Sequence, residues 1–363
     1  MRRRIGPALL VSLLAAAALL VPDPAGGFGT VDGGGQHREH ERITRAALAC
    51  ADGRRPGDGC FAPATLSQLA GEGRGFGAVG APDRTEVNVP AAHCDDGDFL
   101  SGGYPRTRDQ ATAAIAACVE HLRGRFRQAV RGAAGLLGPH GRILEAEVRL
   151  DGGCLLVEHG EQRAKCTVLE EFGRALHGVQ DFYAHSSWAD EADPARPIGP
   201  ANPPGLNLPA PSPVLDLRGS GAPSVPADLA TGCFVLQDTV PGVGACAQRI
   251  THAAVNKDNG LIDPVTGSVS SPGTPRGQVG RNFEKAVTGA IVESRHQWRE
   301  LRDALRAEYG GRKAGAMACA LTHDDPPADC GGGDGRTTIA ALIGFALILG
   351  VIPMSSGPRR PSR

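Results

Sequence analysis

The chain has 363 residues, 51 of them Gly and 28 Pro, with aromatics at only 4% and 38 basic residues against 39 acidic ones. The near cancellation of charge argues against a module that grips nucleic acid through bulk positive charge, and double-stranded nucleic acid is not an expected partner. Apolar residues at 41% and charged residues at 21% argue against a wholly disordered chain, and the length suffices for one large or two ordinary domains.

In chain order, three arginines (Arg2, Arg3 and Arg4) precede an apolar run over 9–21, which small and turn residues break at 22–27. This reads as a secretory signal peptide, 1–27, with a cut after Gly27 that leaves Phe28 as the mature N-terminus; an uncleaved anchor is the alternative. Residues 39–50 set Ile43, Ala46, Ala47 and Cys50 on one helical face. The Ala-rich stretch 107–137 repeats the pattern with Ala114, Cys118, Leu122, Phe126 and Val130 at four-residue spacing. Residues 142–156 are the one weak strand candidate. Helical spacing returns over 167–188, 245–257 and 282–309, the last with Phe283, Val287, Ile291, Trp298, Leu301 and Leu305 toward the core.

The expected fold is therefore mostly α, a single helical domain over 28–321. Residues 193–226 hold too much proline for a helix and read as a long surface loop, with a domain boundary as the alternative. A second Gly/Pro-rich loop covers 258–278. A linker over 322–336 leads to an apolar stretch at 337–354, which as a helix spans about 27 Å, enough for a bilayer core. Arg359, Arg360 and Arg363 follow it, so 337–354 is expected to cross the membrane with 355–363 as a cytoplasmic tail and the body exported. A buried core helix is the alternative. All ten cysteines lie between the two apolar ends, and an even number in an exported chain reads first as disulfides. Consecutive pairing is one connectivity among many. Without any CxxC, a thiolate zinc cluster or a redox dithiol has little support.

The sharpest chemical signal is FGRALHGVQDFYAHSSW at 172–188. His177, Asp181 and His185 stand four apart, so a helix stacks them on one face, and two imidazoles with a carboxylate suit a divalent metal such as zinc. A plain polar helix face is the alternative. Further ligand types gather at His37 and His40, at Asp83, Glu86, His93, Asp95, Asp96 and Asp98, and at His252 and Asp258. HCDDGD reads equally as a solvated acidic turn or a weak calcium site. Taken together these groups point to one polynuclear metal site. His121, His140, His159 and His323 read as solvent-facing, and His296 as a surface residue or an outer partner. The chain has no GxSxG elbow and no phosphate-cradling GxxxxGK[ST] loop.

HGVQDFYAHSSW, preceded by FGRAL, resembles the signature of Het-C-type and CinY-like proteins, relatives of the zinc-dependent phospholipase C and single-strand nuclease superfamily. EHERITRAAL, DRTEVNVPAAHCDDGD and THAAVNKDNGLIDPVTG resemble that superfamily's remaining ligand segments, so the likeness spans 28–307. It implies one to three Zn2+ ions. Asp83, His93, His177 and Asp181 would hold the first, and His185 with His252 the second. His40, the bridging Asp181 and the mature N-terminal amine would hold a third. It also implies Asp83 as the catalytic general base in hydrolysis of a phosphate ester by metal-activated water. Three departures stand out. His185 follows Asp181 more closely than in the enzymes, Asn256 stands where they carry a carboxylate with Asp258 two residues on, and Phe28 replaces a Trp. The expected activity is a membrane-anchored phospholipase C-like phosphodiesterase, with phospholipid or another phosphodiester as substrate. A single-strand nuclease, a catalytically weak metal-stabilised surface protein and an adhesion module using the Pro-rich loop are the alternatives.

Overall fold

The structure is a computed structural model and describes residues 28–51, 54–56, 59–156, 162–234 and 244–330. After a small antiparallel ribbon, β1 (Asp32–Gly33) and β2 (Gln36–His37), helix α1 spans Glu39–Leu48 with Glu39 and Glu41 in the first turn, where carboxylates oppose the positive helix end. Helices α2 (Pro63–Ala70), α3 (Pro82–Thr85) and α4 (Pro90–His93) follow, each opened by a proline whose missing N–H costs nothing there. Helix α5, Arg108–Gly132, starts at a capping box in which Thr107 and Gln110 satisfy one another's backbone N–H groups. Then come the short α6 (Glu145–Val148) and the central α7 (Ala164–His185). Short α8 (His252–Val255) precedes the ribbon of β3 (Leu261–Ile262) and β4 (Val269–Ser270). The long α9 (Asn282–Tyr309), α10 (Gly311–Thr322) and α11 (Pro326–Cys330) close the body. The architecture is mostly α, and the two ribbons are the only sheets among the described residues.

Helix α7 is apolar on nearly every face, as a helix wrapped by others must be. Leu169, Phe172, Leu176, Val179, Phe182 and Tyr183 are all buried along it. The Ile115, Cys118, Leu122 and Phe126 face of α5 and the Phe283, Val287, Trp298 and Leu301 face of α9 close over it in one core. Although Glu170 and Glu171 reach its surface in part, His177, Gln180, Asp181 and His185 of α7 are therefore sealed inside the domain. That placement is what gives them chemistry.

Consecutive cysteines pair: Cys50–Cys60, Cys94–Cys118, Cys154–Cys166, Cys233–Cys246 and Cys319–Cys330. Five disulfides suggest an oxidising, extracytoplasmic environment. The expected signal peptide 1–27, membrane stretch 337–354 and tail 355–363 lie outside the described residues, and no described helix is long and apolar enough to cross a membrane.

Three segments differ from the sequence expectation. Over 245–257 the chain forms only a 3-10 turn at Gly244–Cys246 and the four-residue α8, because the Cys233 disulfide and the ties from Arg249 to Asp96 and Asp98 bend it between them. Residues 142–156 contain α6 in place of a strand. The body runs on through Cys330, beyond the expected end at 321, since Asp324 accepts the N–H groups of Ala64 and Thr65 and caps α2. The Pro-rich 193–226 stretch is a docked loop. Asp216 and Gly221 carbonyls take the Arg123 guanidinium, Trp188 donates to the Pro209 carbonyl, and Ser212 N–H donates to Glu293.

Candidate metal centre

Three separate segments, α1, α3–α4 and the α8 segment, deliver ligand-type side chains to the inward face of α7. Gly178 makes one approach possible: a Cβ there would stand 2.6 Å from the Ala92 carbonyl oxygen, so the α4 segment lies directly on the helix and sets His93 beside His177. The Cys94–Cys118 bond then ties the end of α4 to α5. Gly232 makes the other, since a Cβ on it would meet the His252 Cα at 2.4 Å, while its N–H donates to the His185 carbonyl. His40 arrives on the inner face of α1, packed edge-on against the Phe28 ring.

The first cluster joins His93, His177, Asp181 and Asp83. His177 Nδ1 lies 2.9 Å from the Val79 carbonyl, which can only accept, so Nδ1 carries the proton and Nε2 is bare. His93 Nε2 likewise lies 3.2 Å from the Glu86 carbonyl, so Nδ1 is the nitrogen it turns to the cluster. Those two inward nitrogens are 2.9 Å apart, and Asp181 Oδ2 lies 2.9 Å from the first and 3.0 Å from the second. Asp83 Oδ1 completes the group at 3.5 Å from His177 and 3.9 Å from His93. A shared proton can serve one of these pairs, whereas a cation serves all of them at once. Donors about 2.0–2.1 Å from a tetrahedral zinc stand about 3.3 Å apart, close to the spacing found.

Asp181 turns its other oxygen away from that group. Oδ1 lies 3.2 Å from His40 Nε2 and 3.9 Å from His185 Nε2. Gln180 settles the His40 tautomer. Its Nε2 donates to Thr44 Oγ1 and Ser294 Oγ, so its Oε1 faces His40 Nδ1 at 2.8 Å and takes that proton. Bare His40 Nε2 and Asp181 Oδ1 are then both buried without a hydrogen bond.

The second cluster joins His185, His252, Asp258 and Asp95. His185 Nε2 is 3.0 Å from Asp258 Oδ1, and His252 Nε2 is 3.4 Å from Asp258 Oδ2. Behind them Asp95 Oδ1 lies 3.2 Å from His252 Nδ1 and 3.6 Å from His185 Nδ1. His185 Nδ1, His252 Nε2 and Asp258 Oδ2 are buried and unpartnered. Native interiors hold only a few such atoms per hundred residues, and five of the twelve among the described residues fall within these two touching clusters.

Electrostatics point the same way. Among the described residues, Asp83, Asp95, Asp181 and Asp258 form ion pairs with imidazoles only and with no Lys or Arg. Burial pushes Asp181 upward, yet the rings of His177, His185 and His40 hold it well below the usual carboxylate range. Burial likewise opposes charge on His93 and His185, but neighbouring carboxylates raise His93 to about 9 and His185 well above an ordinary imidazole. The site attracts positive charge strongly. Asp83, with its side chain 20% exposed and an oxygen taking the Thr30 hydroxyl, is the most open of these groups, while the others are nearly or wholly buried.

The structure thus brings His40, Asp83, His93, His177, Asp181, His185 and His252 into one connected constellation, and several of its His and Asp groups could hold a metal ion. It keeps the remaining candidates apart. His37 is half-exposed beside Asp32, and Glu86 is caged by Arg125 and Arg174. Asp96 and Asp98 answer Arg249, with Arg106 and Tyr104 also on Asp98, so HCDDGD is neither a solvated turn nor a free calcium loop. His121 lies 3.8 Å from Glu86, and Cys319 and Cys330 beside His323 are spent in a disulfide. Counting along a helix misplaced Asp258. Helix α8 ends at Asn256, whose Oδ1 accepts the Asp258 N–H, and this turn carries Asp258 back to the histidines. The Asn-x-Asp spacing was the available signal.

No family model matches the chain, and comparison with curated proteins and with solved structures gives no match either.

Proposed function

We propose that the protein is an exported, zinc-dependent phosphodiesterase of the phospholipase C type, held at the membrane by 337–354. The observation that carries this is the convergence of bare, buried lone pairs on both sides of Asp181, from α1, the α3–α4 segment, α7 and the α8 segment, with Asp83 at the open edge. Mixed imidazole and carboxylate donors suit zinc. Asp83, His93, His177 and Asp181 would hold one ion, and His185, His252 and Asp258 a second. His40 with Asp181 offers a place for a third. Bound divalent ions lower the pKa of water and neutralise charge on a phosphate ester. Val79, Glu86 and Gln180 orient the imidazoles, the apolar wall of α7 and α9 excludes bulk solvent, and Asp83, the one carboxylate open to solvent, would take the proton as general base. A phospholipid headgroup is the favoured substrate because a tethered body lies beside the bilayer. Single-stranded nucleic acid is the second choice.

One observation favours a different class, a metal-stabilised surface protein without turnover: every group but Asp83 is almost completely buried. Purified full-length protein is expected to cleave bis(p-nitrophenyl) phosphate or phosphatidylcholine, and Asp83→Asn is expected to abolish cleavage. Stoichiometric metal with no turnover on either substrate, or on single-stranded DNA, would establish the non-catalytic reading.

A further inference from the structure

The second cluster contains two carboxylates, and they are not equivalent. Asp258 faces the Nε2 atoms of both histidines, at 3.0 Å from His185 and 3.4 Å from His252. Asp95 faces the opposite edge of the same two rings. Its Oδ1 lies 3.2 Å from His252 Nδ1, in hydrogen-bonding geometry, and 3.6 Å from His185 Nδ1. The rings stand nearly edge to face with centroids 4.1 Å apart, so one carboxylate oxygen reaches both Nδ1 atoms while the other carboxylate spans both Nε2 atoms.

The geometry points to Asp95 as a positioning residue that accepts the Nδ1–H of His252 and holds that imidazole in the tautomer whose Nε2 lone pair faces Asp258, while His185, whose Nδ1 is 3.6 Å away and unpartnered, is not held by it. Asp95 is itself fixed and nearly buried: its backbone N–H is held by the Pro90 carbonyl, and its neighbours Cys94 and Asp96 are anchored by a disulfide and by Arg249. The division is chemically sensible, since a metal-binding histidine needs its other nitrogen to donate, and a carboxylate acceptor makes the ring a stronger ligand. Of the three orphaned atoms here, His252 Nε2 and Asp258 Oδ2 face the side this arrangement leaves for a divalent ion, and His185 Nδ1 faces the Asp95 side. This inference rests on the metal-centre half of the proposed function and is independent of turnover.

Zinc or cobalt(II) titrated into the metal-free full-length protein separates the two roles, because a ligand sets the number of ions bound and a positioning residue sets their affinity. Asp258→Ala is expected to bind one ion fewer per chain than the wild type. Asp95→Asn is expected to reach the wild-type number, with the second ion about 10- to 100-fold weaker. The converse result, an ion lost in Asp95→Asn and kept in Asp258→Ala, would make Asp95 the ligand and overturn the assignment. An unchanged affinity in Asp95→Asn would overturn it too, as would a wild type that binds no ion here. Should either variant fail to fold, nitrogen-15 spectra of histidine-labelled wild-type protein with zinc decide the matter. Protonated Nδ1 and metal-shifted Nε2 at His252 support the inference, and the reversed pattern refutes it. Ions bound as described with no phosphodiester cleavage would leave Asp95 its role and remove only the hydrolase.

Discussion

Two knots of buried charge lie near the C-terminal end of α7, and they are built in opposite ways. In one, Asp190 is closed in by Lys257 at 3.0 Å and by Arg276 at 2.7 Å, and Lys257 spends its remaining hydrogen-bonding capacity on the Ser186 and Val255 carbonyls. In the other, one residue further along the chain from Lys257, Asp258 joins Asp181 and Asp95 among imidazoles whose lone pairs have no donor. Both sets are sealed from water, so burial alone does not distinguish them. The contrast is in where the positive charge comes from. The Asp190 knot carries its own cations, and the histidine clusters are arranged to receive them. A buried carboxylate therefore points to a ligand site only when its neighbours bring lone pairs and no permanent cation.

Breaking the self-sufficient knot should have the largest effect. Asp190→Ala strands two buried cations and is expected to cost about 3–5 kcal/mol in denaturant unfolding, equally with and without metal. A metal-dependent cost would mean the two knots are one system. Next comes removal of the borrowed charge. Chelation of the wild type is expected to lower Tm, since an ion held at 100 times its Kd contributes about 2.7 kcal/mol. His177→Ala should lose metal, start from the lower Tm and show no further response to chelator. A smaller change separates tautomer control from bulk packing. Gln180→Leu keeps the volume but frees the His40 ring, and a cost of about 1–2 kcal/mol with weaker metal retention is expected. Equal metal affinity in that variant would show that Gln180 is only a packing residue.

The gentlest contrast is with pH. His93 rises from 6.5 to about 9 in the metal-free fold, so its contribution to stability is complete below pH 6.5 and lost as pH climbs through 9. Metal-free protein should therefore lose stability between those values. Loaded protein should not, because an ion takes the place of the proton, and adding zinc at pH 7 should release protons into a weakly buffered solution. Parallel pH profiles for the two forms would count against ligation by His93.

Much of this was legible in the sequence, for identifiable reasons. The four-residue spacing of His177, Asp181 and His185 lies on a helix long enough for periodicity to be meaningful, and α9 spans Asn282–Tyr309 as its apolar face requires. Composition and cysteine parity pointed to the oxidised body. What could not be read came from tertiary contacts. Nothing local announces that Gly178 and Gly232 allow two segments to lie against α7, or that Gln180 turns its amide toward His40. The helical pattern over 245–257 failed because a disulfide and part-buried Arg–Asp pairs outweighed weak local propensity, and the turn at Asn256 repositioned Asp258.

The most direct test is the metal content of the purified full-length protein, measured by inductively coupled plasma mass spectrometry after excess zinc is removed. At least one tightly held zinc per chain is expected, falling sharply in Asp181→Ala, the carboxylate that faces His93 and His177 with one oxygen and His40 with the other. Wild-type protein that folds, unfolds cooperatively and yet retains no stoichiometric divalent ion would contradict the account.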